Sequence, residues 1–254
     1  MLHKRLLAPL LATALAAPAL AQVSPESSAS LAAVIAARSD QERARDGARH
    51  PQATLEFFQV EPGMTVAEVL PGGGWYTRIL APYLGGEGTL YGVNYADRMW
   101  SMFGFATDDW IAERVASTGA FPEMVVGFTD NGFEAQAGTR SQALAAARSL
   151  LKDDGLVGVV QHRAPPSEDE SGTDGSRGYL EEADVIEMFE DAGFQLVDSS
   201  DINANPADQP GPEDTVWRLP PTLRTSQDDP ELRAGMEAIG ESDRMTLLFR
   251  KAVD

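Results

Sequence analysis

Apolar runs and amphipathic stretches alternate along most of this chain. From Met64 to Leu70 the run is nearly continuous and includes β-branched residues. Such a run is typical of a strand that is buried on both faces of a parallel sheet. The six predicted strands span residues 64–70, 89–93, 124–128, 156–161, 194–198 and 245–250.

Stretches with helical character lie between these strands. They span residues 31–37, 54–60, 76–84, 110–117, 140–152 and 180–192. A further helix is expected to start at Asp229-Pro230-Glu231, because aspartate caps helices and proline suits their first turn. Strands that alternate with helices predict an α/β fold with a mostly parallel sheet.

The first 21 residues follow another pattern. Lys4 and Arg5 precede an apolar run from Leu6 to Leu20, and Ala19-Leu20-Ala21 fits a small-residue cleavage site. This is the pattern of a secretory signal peptide, and the run is too short to favour a membrane span. We therefore expect an exported protein, periplasmic or secreted, with no membrane span after cleavage. An uncleaved anchor is the alternative.

The remaining chain has two segments of unusual composition. Residues 22–50 are rich in Ala, Ser and Arg and are predicted to be an N-terminal extension that packs on a main domain over residues 51–254. Within that domain, residues 202–242 form a long connection rich in Pro and Asn. Connections of this length are often lids or binding loops, so this segment is a candidate lid.

Charge and composition exclude several classes of function. The formal charge is -19, and loss of Lys4 and Arg5 with the signal brings it to -21. A chain this acidic repels phosphate backbones, so no binding to DNA or RNA is expected. There is no cysteine for disulfide or thiolate chemistry. No histidine pair has zinc spacing and the acidic run 167–175 lacks the EF-hand register, so no metal site is predicted.

A glycine-rich turn follows the first predicted strand. It contains Gly72, Gly73 and Gly74, and a dinucleotide-binding turn would need a third spaced glycine where Thr77 stands. The G-x-x-x-x-G-K-[ST] pattern of a P-loop is also missing from the sequence. The sequence therefore argues against a phosphate-binding turn of either kind.

An acidic residue precedes this turn at a suggestive distance. Glu68 lies near the strand end, four residues before a G-x-G pattern. The glycines allow a ligand to approach the backbone, and the following helix N-terminus favours a carboxylate. The acidic side chain can accept a hydrogen bond from an ammonium group. The pattern thus suits a ligand that carries an amino acid.

This E-x-x-x-G-x-G spacing resembles the first motif of class I S-adenosylmethionine-dependent methyltransferases. The chain as a whole is similar to a family of exported predicted methyltransferases, over nearly all of its mature length. The segments that carry this resemblance are PGGGWYTRILAPYL, VGVVQHRAP, INANP, VWRLPPTL and IGESDRMTLLFRK. The resemblance implies a Rossmann-like, doubly wound sheet, S-adenosylmethionine as cofactor, and methyl transfer to an unidentified small-molecule acceptor.

The resemblance also implies roles for individual residues. The first motif would line the methionine part of the cofactor. Asn94 stands where the family usually has an acid that binds ribose, and Asp130 stands in the loop that approaches adenine. A turn or a loop cap is the alternative role for each polar residue. The predicted cofactor-binding residues are Glu68, Gly72, Gly73, Gly74, Asn94 and Asp130.

His162 is the predicted catalytic residue. It follows a predicted strand at the carboxyl end, where ligands bind in open α/β sheets. There it is placed to deprotonate or polarise an acceptor. The alternative is a histidine that holds its loop by hydrogen bonds.

One strand of the family is missing from this sequence. Between Tyr95 and Gly155 the family fold needs two strands, and only residues 124–128 have strand character. An empty slot beside the first strand would leave buried backbone groups unpaired, at about 1–3 kcal/mol each. Residues 124–128 are therefore predicted to take that central slot in a six-stranded sheet.

Two functions remain open from the sequence. The first is an S-adenosylmethionine-dependent methyltransferase. The second is an exported methyltransferase-like protein that has lost activity and binds a small ligand or a partner. The export signal, Asn94 in place of an acid and the missing strand favour the second.

Overall fold

A computed structural model describes residues 22–71, 73–94, 126–127, 136–166 and 175–253. Several sequence predictions lie outside these described residues. They are the signal peptide at 1–21, the roles of Gly72 and Asp130, the helix at 110–117 and the acidic run up to residue 174.

The strands and helices lie close to their predicted positions. The strands are β1 Thr65–Val69, β2 Thr89–Asn94, β3 Val126–Gly127, β4 Leu156–His162, β5 Phe194–Ser200 and β6 Arg244–Lys251. The helices are α1 Pro25–Ala37, α2 Asp40–Arg43, α3 Asp46–Arg49, α4 Pro51–Phe57, α5 Thr77–Leu84, α6 Gln136–Leu150, α7 Glu182–Asp191 and α8 Pro230–Ile239. Asp229 caps α8 through Glu231 and Leu232, as its sequence predicts. No helix among the described residues is long and apolar enough to cross a membrane.

The six strands form two three-stranded sheets within the described residues. β1, β2 and β3 pair in parallel, whereas β6 lies between β4 and β5 and is antiparallel to both. The α/β class is confirmed, but the prediction of one mostly parallel six-stranded sheet is not. The connection from β5 to β6 stays at one end of the sheet, so β6 runs antiparallel to β5.

The predicted position of residues 124–128 is wrong. Val126 pairs with Val93 and Gly127 with Asn94, so β3 lies on the outer side of β2 and not beside β1. The prediction assumed that an unpaired side of β1 would be buried. Instead Thr65, Ala67 and Val69 are exposed, with Val69 at 55%. An exposed strand can hydrogen-bond to water, so the expected cost of the empty slot does not arise.

The first core packs α5 against the N-terminal helices. The buried positions of α5 recur at helical spacing and face α1, α4 and β2. Tyr83 donates a hydrogen bond from its hydroxyl to the carbonyl of Val60 at 2.9 Å, which satisfies its buried polar end. The core residues are Leu31, Leu55, Val60, Ile79, Leu80, Tyr83, Leu84 and Leu90.

The second core lies between the β4-β6-β5 sheet and helices α6 and α7. Its buried residues are Val185, Phe194, Met245, Leu247 and Phe249. The ring of Phe189 stacks on Phe249 with the centroids 4.3 Å apart. Asn203 links this sheet to α4. Its side-chain amide donates hydrogen bonds to Thr54 of α4 and to Thr246 of β6, both at 3.0 Å.

Phe58, at the end of α4, joins the first core to strand β4. Its ring packs against the first core and also lies over the backbone of Gly158 in β4. A Cβ atom at Gly158 would lie 2.4 Å from Phe58 Cγ, which is closer than real Cβ contacts. Glycine at this position therefore lets the ring approach the strand.

Buried polar contacts anchor the connection between β5 and β6. Arg218 donates to Asp208 at 2.6 Å, and the Tyr179 hydroxyl donates to the same carboxylate at 3.1 Å. Arg218 and Asp208 are both buried. These contacts fix part of the segment at 202–242, and its role as a lid stays a prediction.

Candidate functional site

The glycine turn lies at the carboxyl end of β1. Leu70 and Gly74 have left-handed φ angles of 52° and 75°, and the Gly74 N–H donates to the Pro71 carbonyl at 2.8 Å. Glycine suits this position because glycine adopts a positive φ without a steric cost, and Gly74 is also buried. An added Cβ at Gly73 would meet nothing within 4 Å. The turn therefore has open space at Gly73.

Glu68 is held by the start of α5. Its carboxylate accepts a hydrogen bond from the Thr77 hydroxyl at 2.5 Å. Burial raises the pKa of Glu68, although hydrogen bonds from the side chain and backbone of Thr77 act in the opposite direction. Thr77, the residue that stands in place of the third glycine of a dinucleotide-binding turn, thus hydrogen-bonds to Glu68, a predicted cofactor-binding residue. This contact agrees with the alternative role of Glu68 as a residue that holds the turn.

Trp75 attaches the N-terminal extension to the turn. Its indole N–H donates to the Glu42 carbonyl at 3.2 Å. The guanidinium groups of Arg38 and Arg49 lie 5.4 and 5.0 Å from the centre of its ring. Such cation–π contacts contribute about 0.5–1 kcal/mol each at exposed sites and more when desolvated. The extension is therefore fixed over the turn by a ring directly after the glycines.

A cavity of about 730 Å³ lies between the extension and the turn. This volume is in the range of small-molecule sites. Residues of α2, α3, the turn and α5 line it: Ser39, Gln41, Glu42, Arg45, Arg49, Leu70, Pro71, Gly73, Trp75 and Arg78. Of the predicted site residues that the structure describes, Gly73 lines this cavity, whereas Glu68 and His162 are not part of its wall.

An arginine cluster lies behind the cavity and joins α3 to the start of β6. Glu241 accepts from Arg45 Nε at 2.5 Å and from Arg49 Nε at 3.1 Å, and it lies 3.1 Å from Arg244 Nη1. Arg244 Nη2 also donates to the carbonyl of Ala48 at 2.9 Å. Burial alone would raise the pKa of Glu241, but the hydrogen bond from Arg45 and the charges of Arg49 and Arg244 lower it.

His162 ends β4 beside this cluster and is paired with Arg244 across the sheet. Its Nδ1 lies 2.5 Å from the hydroxyl of Ser242. Burial, followed by the charges of Arg244 and Arg49, lowers the pKa of His162 to about 4. The imidazole is therefore neutral at pH 7 and a weak base, because an effective general base has a pKa near the working pH. Its role in catalysis stays a prediction.

Tyr76 is the residue directly before α5. Burial raises the pKa of its hydroxyl, and the charges of Arg49 and Arg244 act in the opposite direction while Glu68 adds to the rise. The ring also meets Trp75 edge to face, at 4.7 Å between centroids. The charge of Glu68 and the charges of two cluster arginines thus all act on the Tyr76 hydroxyl.

Asn94 ends β2 in the structure, at the carboxyl side where a ribose contact was predicted. Its predicted role, and those of Gly72 and Asp130, stay predictions. Within the described ranges no group of three or more His, Asp or Glu residues is placed to hold a metal ion.

The sequence interpretation missed the arginines of the cluster. Arg45 and Arg49 are four residues apart, a spacing that places side chains on the same side of a helical stretch. That spacing is the local signal that was available. Their shared partner, Glu241, is 196 and 192 residues away in sequence, and no local pattern indicates it.

Comparisons with known proteins give distant structural similarities. No family model and no curated protein matches the chain. A SAM-dependent methyltransferase from Aquifex aeolicus is 16% identical over 68% of this chain and 93% of its own, with a TM-score of 0.47. The Burkholderia thailandensis 1,6-didemethyltoxoflavin-N1-methyltransferase, solved with S-adenosylhomocysteine, is 13% identical over 92% and 93%, with a TM-score of 0.43. Because these TM-scores lie below 0.5, function is inferred from the site alone.

Proposed function

We propose that this protein transfers a methyl group from S-adenosylmethionine to a small-molecule acceptor. The observation that carries the proposal is the glycine turn at the carboxyl end of β1, whose open position at Gly73 faces a cavity of about 730 Å³. Ligands of open α/β sheets bind at the carboxyl ends of strands. The missing third glycine of a phosphate-binding turn favours a nucleoside that carries an amino acid.

The described residues fit such a cofactor in three respects. Gly73 leaves room for close approach to the backbone, and α5 directs its N-terminus to the same region. Glu68 lies at the strand end outside the cavity wall, and it can accept from an ammonium group that extends beyond the cavity if Thr77 yields its hydrogen bond. When bound, S-adenosylmethionine supplies a methyl carbon to the acceptor's lone pair, the C–S electrons return to sulfur, and an acceptor proton leaves. The chain's own task is mainly to position the two reactants.

A leucine at Gly73 tests the proposal. Gly73→Leu should abolish binding of S-adenosylmethionine, because the side chain would enter the cavity without displacing protein atoms. Gly86→Leu is the matched control, since Gly86 lies in the turn after α5 and its added Cβ also meets nothing within 4 Å. Isothermal titration calorimetry on the protein without residues 1–21 measures both. Absence of heat at millimolar S-adenosylmethionine in the parent protein would refute the proposal.

A second function is favoured by the position of the predicted residues. Glu68 is occupied by Thr77, and His162 is a weak base that does not line the cavity. These observations support a binding protein without methyl transfer. It predicts that S-adenosylhomocysteine binds but that no acceptor consumes S-adenosylmethionine when a mixed metabolite extract is added and the product is followed by mass spectrometry.

We also propose that the chain is exported after cleavage behind Ala21. Lys4, Arg5 and the apolar run that follows support this, together with the small residues Ala19 and Ala21. Expression in a Gram-negative bacterium should yield a periplasmic product whose N-terminal residue is Gln22. A product that stays in the cytoplasm at full length would contradict the proposal.

A further inference from the structure

The cavity wall has a charge opposite to that of the protein. The chain has 39 acidic and 20 basic residues, yet Arg45, Arg49 and Arg78 line the cavity beside a single acid, Glu42. The Glu42 carboxylate accepts hydrogen bonds from the N–H and hydroxyl of Ser39 at 2.9 and 2.8 Å, and its other oxygen lies 3.7 Å from Arg78 Nη1. Glu42 therefore compensates Arg78, and Arg45 and Arg49 carry the positive charge that remains on the cavity wall. Clefts lined by charges of one sign concentrate ligands of the other sign.

Arg45 and Arg49 are held in place from behind. Glu241 binds the Nε atom of each, and it also pairs with Arg244. One carboxylate thus faces three guanidinium groups, which leaves an excess of positive charge at the cavity. In the part of the chain that the structure describes, no acceptor lies on the Nη atoms of Arg45 or Arg49. The planar guanidinium fork matches carboxylate and phosphate groups.

The positive charge of Arg49 is only partly compensated by Glu241, which it shares with Arg45 and Arg244. Burial is the main cause that lowers the pKa of Arg49, and Glu241 counters it only in part while Arg45 adds to the fall. The guanidinium carbon of Arg49 also lies over the Trp75 ring, 5.0 Å from its centre, and this contact restrains the side chain. A preorganised and partly desolvated cation of this kind gains most from an anionic ligand, because little entropy is lost on binding.

We propose that Arg45 and Arg49 form an anion-binding site in the cavity, which takes the carboxylate or phosphate group of a small molecule. The turn at Pro71 and Gly73 forms the opposite wall, so the rest of the ligand would lie against the glycine turn. Resting on the proposed function, the anion has two sources. It is either an anionic methyl acceptor or the amino-acid carboxylate of the cofactor.

The site is tested with benzoate and inorganic phosphate as probes, by calorimetry at constant ionic strength. At least one probe should bind saturably to the parent protein and at least tenfold more weakly to Arg49→Gln. Arg233→Gln is the matched control, because it removes the same charge from an exposed pair with Glu237 on α8. Absence of saturable binding by either probe, or equal affinity in Arg49→Gln, overturns the proposal.

Further variants guard against loss of folding. If Arg49→Gln fails to unfold cooperatively, Arg45→Gln and Arg49→Lys replace it. Arg49→Lys keeps the charge and loses the fork, so it should weaken the bound probe less than removal of the charge does. A bound probe with unchanged affinity in both Arg45→Gln and Arg49→Lys would also overturn the proposal.

The source of the anion is distinguished with S-adenosylhomocysteine and 5′-methylthioadenosine, which lacks the amino-acid part. If the site serves the cofactor, Arg49→Gln weakens S-adenosylhomocysteine and leaves 5′-methylthioadenosine unchanged. If it serves the acceptor, both nucleosides bind as in the parent protein while benzoate or phosphate binds more weakly. Probe binding without S-adenosylmethionine binding supports the anion site and refutes methyl transfer, and the reverse result refutes the anion site alone.

Discussion

The two three-stranded sheets of this protein are buried to very different degrees. In the β4-β6-β5 sheet, β6 is covered on both faces, and its residues from Met245 to Phe249 are all fully buried. In the β1-β2-β3 sheet, β1 alternates between exposed and partly buried residues. Yet the glycine turn and the cavity belong to β1, whereas the arginine cluster is fixed to the start of β6.

The difference suggests a division of roles between the sheets. Regions with few buried apolar contacts open at lower free energy than buried cores, and ligand-binding segments are commonly of that kind. The buried sheet would hold Arg244 and Glu241 in place, and these position Arg45 and Arg49. The exposed sheet would carry the part of the site that adapts to a ligand.

The largest expected effect comes from paired truncations in the two sheets. Leu247→Ala in β6 should lower the free energy of unfolding by about 2–5 kcal/mol, because it leaves a cavity in a fully buried core. Val69→Ala in β1 should change it by no more than about 0.5 kcal/mol, since that side chain is 55% exposed. Urea unfolding followed by circular dichroism measures both. Similar losses for the two variants would contradict the difference in burial.

Local patterns in the sequence predict the elements better than their arrangement. The apolar run at 64–70 contains β1, and the glycines mark the turn that follows it. The cap and proline at Asp229 and Pro230 likewise start α8 where expected. These features depend on residues close in sequence, whose conformational preferences act without tertiary contacts.

The position of β3 and the contacts of the arginines depend on distant parts of the chain. An apolar run does not reveal how many sides of a strand will be covered, so the exposure of β1 was missed and β3 was placed wrongly. The pairing of Arg45 with Glu241 joins residues 196 positions apart. Only the packed structure shows that the extension supplies the cationic wall of the cavity.

A pH titration examines the end of the buried sheet. The pKa of His162 is lowered from 6.5 to about 4 by burial and by Arg244 and Arg49, with Arg45 acting in the same direction and Glu241 against it. The folded state therefore resists protonation of His162 more than the unfolded state does. The neutral histidine thus stabilises the folded protein relative to its protonated form, and this stabilisation is complete above pH 6.5. It is lost as the pH falls towards 4, and it amounts to at most about 3 kcal/mol.

His162→Asn should remove this contribution to the pH dependence. As the pH falls from 6.5 to 4, the parent protein should lose free energy of unfolding relative to His162→Asn. His50→Asn is the control, because His50 is exposed and its left-handed φ of 40° suits asparagine. Carboxylates that titrate in every variant cancel in the comparison. A pH-independent difference for His162→Asn would show that the histidine is not shielded as the structure indicates.

The smallest expected effect concerns the conformation of the turn on the exposed sheet. Leu70 has a left-handed φ of 52° and is 48% exposed, so the ease of adopting this backbone conformation should dominate the effect of small substitutions there. Asparagine adopts this conformation more readily than alanine, so Leu70→Asn should be more stable than Leu70→Ala by about 0.5–1 kcal/mol. At Leu150, an exposed residue at the end of α6, the order should be reversed, because alanine is the better helix former. Thermal unfolding of the four variants measures this, and the same order at both positions would mean that the turn at Leu70 is not left-handed.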